Sequence, residues 1–411
     1  MLLELKVKNF KSFGEQQVFS PLANKKIIKK KDSLIEIEKN LKLLPTVAIY
    51  GANASGKSNL LQALTLLNKP IKETVIKPFL LDGEEYKNNP SEFIFSYFLD
   101  GVFIEYEIHI SSSLEIVFEK FDLIKSKTKA INIYTRKDEN IYIIPFLGND
   151  EYKQTIKQLT GNKNFMFKVI VDNSGHDFSL EAKEVIDTMN KLITKSLDDK
   201  YFYNEFNSNT LYRDKINKII SKMDLSIHEV SIKKFDIDIS DMKSNLLKDL
   251  FKDKSKIEYE TPLFKHIDNK GNSHYFDEDQ VSTGTINLFR IMFRVVYCLD
   301  KGLPIFIDEL EKTLHPILCR KILEMFNNKI INKKGAQLIF TTHNVDLLDE
   351  SVFRKDQIYF VEKNENQMSQ IFSLNDFKSR NGEDIKTRYM NDRYGAIPNI
   401  SDLEDIFNDE I

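Results

Sequence analysis

Gly51-Ala-Asn-Ala-Ser-Gly56-Lys57-Ser58 sets two glycines, a lysine and a hydroxyl at the spacing G-x-x-x-x-G-K-[ST]. Glycines let backbone N–H groups close on a phosphate, and a helix starting just after them favours the anion. Lys57 can then bridge β- and γ-phosphates while the Ser58 hydroxyl ligates Mg²⁺. Leu303-Pro-Ile-Phe-Ile-Asp308-Glu309 is an apolar run ending in two carboxylates. There Asp308 would hold Mg²⁺ through water and Glu309 would orient and polarise an attacking water, although by itself the run also reads as an ordinary strand with charges at its end. Gln337-Leu-Ile-Phe-Thr341-Thr342-His343 ends a further apolar run. A lone histidine is more often structural, but His343 closes the strand expected beside that of Asp308, within reach of a γ-phosphate and its water. Val281-Ser282-Thr283-Gly284-Thr285 precedes an apolar-rich helical pattern from Ile286 to Leu299. Small residues there suit either a phosphate wrapped by hydroxyl and amides or a simple N-cap.

These side chains need elements to present them. Leu43 to Tyr50 is a short apolar run entering Gly51, as a buried strand entering a phosphate loop would be, and Leu60, Leu61, Leu64 and Leu67 follow at helical spacing before Pro70. The chain opens with period-2 alternation, Leu3, Leu5 and Val7 against Glu4, Lys6 and Lys8. From about Phe93 to Phe146 alternation returns, with Asp100-Gly101 as a hairpin signal. Residues 151–250 read as mostly helical, for example Ala182 to Leu197 and Tyr212 to Met223, with a strand-like Val230 to Ile239. Nothing there sustains three heptads, so a compact insertion is expected and not a coiled-coil arm. Ile257 to Phe276 reads as a hairpin about Asn269 to Asn272. The organisation expected is residues 1–150 as an N-terminal lobe with the phosphate loop, 151–274 as the insertion, 275–365 as a C-terminal lobe and 366–411 as a tail.

Composition narrows the class. In 411 residues, 41% are hydrophobic and 29% charged, with 30 Phe and 16 Tyr, which excludes wholesale disorder, collagen and rod-like coiled coil. The net charge of −3 gives no global nucleic-acid signature, so any DNA contact would be local. Lys25, Lys26, Lys29, Lys30 and Lys31 are the obvious patch, read either as a solvated loop or as a DNA contact. With Cys298 and Cys319 alone, neither a disulfide scaffold nor a cysteine-rich metal site is available, and a reducing cytosol is the natural setting. No apolar run approaches the roughly 18–20 residues of a membrane helix, and the N-terminus lacks a signal peptide's apolar stretch.

Taken in order, the four motifs resemble those of the ATP-binding-cassette (ABC) ATPases of the SMC, RecF and OLD superfamily. Gly51 to Ser58 is similar to Walker A in its G-x-N-x-S-G-K-S-N form, which implies nucleotide contacts from Gly51, Asn53, Ala54, Ser55, Gly56, Lys57, Ser58 and Asn59. Val281 to Thr285 resembles the signature motif, Ile305 to Glu309 Walker B, Glu311 to Pro316 the D-loop, and His343 the switch histidine. The opening Val7-Lys-Asn-Phe-Lys-Ser-Phe13 is similar to the superfamily's first strand, which implies that Lys11 approaches the nucleotide. A narrower likeness is to the bacterial AAA ATPases of abortive infection, of the AbiL and RloA type. It rests on Pro78 to Asp82, Ser91 to Phe93, Ser282 to Thr285, Leu314-His-Pro316 and Arg393 to Pro398. Two departures stand out. No glutamine lies between Gln62 and Gln154, so no Q-loop ligand is assigned, and the signature reads Val-Ser-Thr-Gly-Thr in place of Leu-Ser-Gly-Gly-Gln.

The resemblance implies an α/β fold, an ABC-ATPase head with a RecA-like mixed sheet core, an antiparallel β lobe and a mostly helical insertion. It implies ATP and Mg²⁺, catalysis by Lys57, Glu309 and His343, and metal ligation by Ser58 and Asp308. A homodimer or higher oligomer follows, in which Ser282 and Gly284 of one subunit close on ATP held by Lys57 of the other. The interval from Lys57 to Gly284 is too short for SMC-length coiled coils, and the residues after His343 are fewer than a usual nuclease domain of about 100–150 residues. The expected function is therefore an ATP-switched sensor or regulator of a separate nuclease or toxin in antiphage defence, in the cytoplasm. The alternative is a RecF-like repair ATPase clamping DNA directly, with Lys25 to Lys31 and Lys378, Arg380, Lys386 and Arg388 as a track. Tyr389 to Pro398 is expected to dock on something, either the chain itself or the effector, and Asp236-Ile-Asp238 is weighed as a metal pair against a solvent-facing strand.

Overall fold

The computed structural model describes residues 1–81, 84–126, 129–138, 140–175, 178–192, 199–224, 226–238, 256–312, 314–377 and 384–397. Packing divides the chain into two compact units. The first holds Met1–Lys195, Leu299–Glu311 and Cys319–Ile411, and the second Ser196–Cys298 and Lys312–Leu318.

A five-stranded mixed sheet forms the heart of the first unit, in the order Pro304–Ile307, Gln337–Thr341, Thr46–Tyr50, Ile358–Lys363, Ser369–Ser373. The first four strands run parallel and the last is antiparallel. Thr46–Tyr50 and Gln337–Thr341 are buried at every position, as central strands covered on both faces must be. Parallel pairing delivers the ends of these strands to one edge of the sheet, where ligands of open α/β sheets bind.

Beside it lies a seven-stranded antiparallel sheet, in the order Asn140–Ile143, Lys129–Lys137, Ile116–Ser126, Val102–Ile110, Ser91–Leu99, Leu2–Lys8, Gln17–Phe19. Its alternating burial is what one packed face and one wet face require. The Asp100-Gly101 hairpin forms with both residues at positive φ, 47° and 87°, as a two-residue type I′ turn demands. One hydrophobic core joins Phe93, Phe95 and Tyr106 of this sheet to Val47 and Ile49 of the mixed sheet.

Helices Asp150–Thr160, Met166–Asp172 and Leu180–Leu192 also belong to this unit. Phe167 meets Tyr106 edge-on, with ring centroids 5.2 Å apart, and Glu119 accepts from the Met166 amide at 2.9 Å. The packing boundary therefore falls after Lys195 and not at the expected 150/151. The second unit holds helices Asp199–Ser208 and Thr210–Met223, most of Thr283–Lys301, and a sheet of Glu229–Asp238, Lys256–Ile267 and Ser273–Phe276. An aromatic cluster of Phe206, Tyr212, Phe289 and Phe293 packs its interior. Asp236 to Asp238 fall on the strand Glu229–Asp238, but their side chains lie outside the description.

The expected tail supplies one strand of the mixed sheet. Ser369–Ser373 is its edge strand, and Tyr389 and Tyr394 stack on Phe360 at 5.6 and 5.5 Å. Tyr389 also donates to Ala396 O at 3.1 Å. Tyr389, Tyr394 and Ala396 are thus packed into the chain's own core, the first of the two dockings weighed for this stretch, while Met390 to Arg393 are exposed; Pro398 lies outside the described residues.

Candidate functional site

The phosphate loop runs from Tyr50, the last residue of the central strand, to the helix Lys57–Leu64. Gly56, the helix N-cap, sits at φ 116°, where a Cβ would lie 2.3 Å from Ser369 Oγ and 2.8 Å from Ser12 Oγ. Any side chain there is both strained and obstructed. Ala54 also takes a left-handed conformation, at φ 60°. Asn53, Ala54 and Ser58 are exposed, whereas Ser55 and Lys57 are buried. The Ser55 hydroxyl is buried without a partner. Lys57 Nζ donates to Gly51 O and Ala52 O, each at 2.9 Å. Burial lowers its pKa, and Asp308, Glu309 and Glu311 pull it back up.

Register carries the carboxylates to the same edge. Ile307 pairs with Phe340, so Asp308 comes level with Thr341, and Thr341 pairs with Ile49 on the strand feeding the loop. Thr341 Oγ1 donates to Asp308 Oδ1 at 2.6 Å and accepts from the Glu309 amide at 2.8 Å. Asp308 is exposed and Glu309 half-buried. Glu311 accepts from the His343 amide through Oε1, while its Oε2 is buried and unpartnered. Burial and then the Lys57 charge lower the His343 pKa, against the opposing pull of Glu311, Glu309 and Asp308. Lys57, Asp308, Glu309, Glu311 and His343 thus form one electrostatic cluster at the ends of three neighbouring strands.

Lys11 donates to Gln62 in the second turn of the helix Lys57–Leu64, and the neighbouring Ser12 Oγ accepts from Asn59 Nδ2 at 2.8 Å. Ser282, Thr283 and Gly284 lie in the second unit, all exposed. Ser282 Oγ caps its helix by accepting from the Thr285 amide at 3.1 Å, and Thr285 Oγ1 donates to Asp224 Oδ2 at 2.9 Å. Both of the readings weighed for this segment fit that geometry. His315 of the D-loop is exposed, and Thr313 lies outside the described residues.

The lysine-rich segment is an anchored loop. Arg354, 1% exposed, donates to Asn24 O, Ile27 O and Lys29 O, and is itself held by Asp356. Lys29 pairs with Glu350, and Lys25, Lys26 and Lys31 are exposed. Of the supposed track, Lys386 is paired to Asp346 at 2.5 Å and Arg388 lies over the Tyr394 ring, so both are engaged internally; Lys378 and Arg380 lie outside the described residues.

Sequence reasoning missed the structural parts of the site. In the sequence Thr341 reads only as part of a polar strand end and Glu311 only as part of the D-loop resemblance, and Ser369, which donates to Ser55 O at 2.5 Å, belongs to no motif. Only the strand-end position of Thr341 was a usable signal, because the register that aims it is not local.

The donor set fits a magnesium nucleotide. Among the described residues no group of three His, Cys, Asp or Glu side chains is placed to hold a metal. Mg²⁺ typically takes one or two protein ligands and otherwise water and substrate phosphates, which matches exposed Ser58 and Asp308.

A phosphate loop on a parallel strand, a carboxylate pair and a histidine at neighbouring strand ends, and an antiparallel lobe sharing the core together form a nucleotide-binding domain of the AAA type. The chain belongs to the family described as "AAA domain, putative AbiEii toxin, Type IV TA system", whose model matches residues 47–349. No protein of curated function matches it. Among solved structures it is similar to the SMC head domain from Thermotoga maritima, at 14% identity over 90% of this chain and 98% of that one, with a TM-score of 0.44. No helix among the described residues is long and apolar enough to cross a membrane.

Proposed function

We propose that the protein is a Mg²⁺-dependent ATP hydrolase that acts in the cytoplasm as the ATP-operated switch of a separate nuclease or toxin in antiphage defence. The observation that carries the enzymatic part is the convergence of Lys57, Asp308, Glu309 and His343 at one sheet edge. Lys57 exchanges the carbonyls of Gly51 and Ala52 for phosphate oxygens. Glu309 orients and polarises the attacking water, whose attack breaks the bond from the β,γ-bridging oxygen to the γ-phosphorus and yields ADP and phosphate. His343 supports the γ-phosphate. Mg²⁺, held by Ser58 and through water by Asp308, would neutralise charge developing on the phosphates.

Exposure of Asn53, Ala54 and Ser58 on one unit and of Ser282 and Gly284 on the other supports closure between two copies, with Ser282 and Gly284 acting in trans on the nucleotide. The defence role is supported by the family description, with its toxin–antitoxin label.

The test is affinity purification of Glu309→Gln, trapped with Mg-ATP, from the native host, followed by mass spectrometry, a nucleic-acid assay and light scattering. A stoichiometric nuclease or toxin-like protein on an ATP-dependent dimer is the expected result. Recovery of DNA without such a protein would replace the effector reading by the DNA clamp, and a strict monomer with ATP would remove the trans contact.

A further inference from the structure

The contact that Thr341 makes with both carboxylates points beyond motif chemistry. Thr341 is wholly buried at the end of its strand, yet its hydroxyl both donates to and accepts from the neighbouring strand end, donating to Asp308 Oδ1 at 2.6 Å and accepting from the Glu309 amide at 2.8 Å. Its carbonyl accepts from the Leu310 amide at 3.2 Å. Glu309 between these anchors has φ 50°, a left-handed conformation that a side chain other than glycine seldom adopts without support. The next residue is oriented otherwise: the Thr342 amide donates to Ile49 O and its hydroxyl accepts from the Asn344 amide, each at 3.0 Å. One threonine thus serves the carboxylate strand and the other the loop strand.

We propose that Thr341 is the positioning residue for the Asp308–Glu309 pair: one buried hydroxyl fixes the rotamer of the metal-side carboxylate and the backbone of the water-side glutamate together. This inference rests on the ATPase reading above and deepens it. Asp308 alone would be free to rotate its carboxylate, and Glu309 alone would relax towards an ordinary backbone conformation. Held by one oxygen, the two are set relative to each other, and a shift of the strand Gln337–Thr341 moves both.

The test compares wild type with Thr341→Val, which keeps the branched shape and loses both hydrogen bonds, and Thr341→Ser, which keeps both bonds and loses the methyl. The readouts are kcat, the free Mg²⁺ giving half-maximal rate, Mn²⁺ binding with a non-hydrolysable ATP analogue by electron paramagnetic resonance, and nucleotide affinity in EDTA. For Thr341→Val the expectation is a fall in kcat of about 10–100-fold, a metal requirement raised about tenfold, and metal-free nucleotide affinity within about twofold of wild type. Thr341→Ser should recover both parameters to within about threefold. If the valine variant fails to fold, Thr341→Ala carries the same expectation. A valine variant with unchanged kcat and metal dependence beside an active wild type overturns this inference alone. A serine variant as impaired as the valine one also overturns it, because packing would then be the cause. A wild type that neither binds the Mn²⁺–nucleotide nor hydrolyses ATP overturns the ATPase reading itself.

Discussion

Two clusters in the first unit, each joining carboxylates to a basic side chain, are put to opposite ends. In the antiparallel lobe Glu119 and Arg136, 0% and 1% exposed, form an ion pair. Glu119 Oε1 also accepts from Tyr106 and Tyr134 hydroxyls, at 2.9 and 2.7 Å, and Arg136 donates to Gly161 O and Asn164 O. At the sheet edge Asp308 and His343 are exposed, Lys57 donates to two carbonyls of its own loop, and Glu311 keeps a buried oxygen without a partner. The first cluster is almost saturated by its own chain, so little remains for a ligand to satisfy. The second leaves polar groups that its own chain does not satisfy, which on the proposed ATPase reading suits a polyanion and a cation in a way that a structural bridge does not.

The largest effect should come from Glu309→Gln. Losing the group that orients the water should slow hydrolysis by about 10²–10⁴-fold while nucleotide binding and thermal midpoint stay near wild type. Single-turnover kinetics beside calorimetric melting would check this, and unchanged turnover would refute the role. The counterpart in the lobe is Arg136→Met. It strands the buried Glu119 carboxylate and should lower unfolding free energy by about 3–5 kcal/mol, with kcat per folded molecule unchanged. Denaturant titration reads the first quantity and active-site titration the second. A stable Arg136→Met with impaired kcat would erase the contrast between the clusters.

The sheet-edge side of this contrast is legible in the sequence and the Glu119–Arg136 side is not, and the boundary between legible and hidden is physical. The phosphate loop, the Asp308–Glu309 pair and His343 are contiguous motifs at the ends of apolar runs, so local pattern suffices to find them. Asp100-Gly101 is likewise a local turn rule. The Thr341–Asp308 bond depends on the parallel register Ile307 to Phe340, between segments more than thirty residues apart, and no local rule sets it. The packing of Tyr389 and Tyr394 on Phe360 is hidden for the same reason, since an apolar stretch near a terminus looks alike whether it covers its own sheet or a partner. Residues 150–192 show helical periodicity, but which sheet they cover is written in Glu119, Tyr106 and Arg136, far away in sequence.

His343 gives the smallest expected effect and the finest measure of the unsaturated cluster. In the free protein partial desolvation and then the Lys57 charge lower its pKa from the ordinary histidine value, which favours the neutral imidazole over the imidazolium. The folded state therefore binds fewer protons than the unfolded state just below pH 6.5. This small contribution to stability is present above that pH and lost as pH falls through the folded pKa. A bound γ-phosphate reverses the balance by placing negative charge against the ring and raising its pKa. Between the two pKa values nucleotide binding then takes up a proton, and affinity must increase as pH falls. The expected gain is about two- to fivefold from pH 7.5 to 6.0, with His343→Gln losing the imidazole-linked part and the phosphate's own titration remaining in both. Titration calorimetry in two buffers of different ionisation enthalpy measures the proton count. Equal uptake by wild type and His343→Gln would show that the imidazole does not meet the nucleotide, leaving the cluster's spare capacity to Lys57 and the carboxylates.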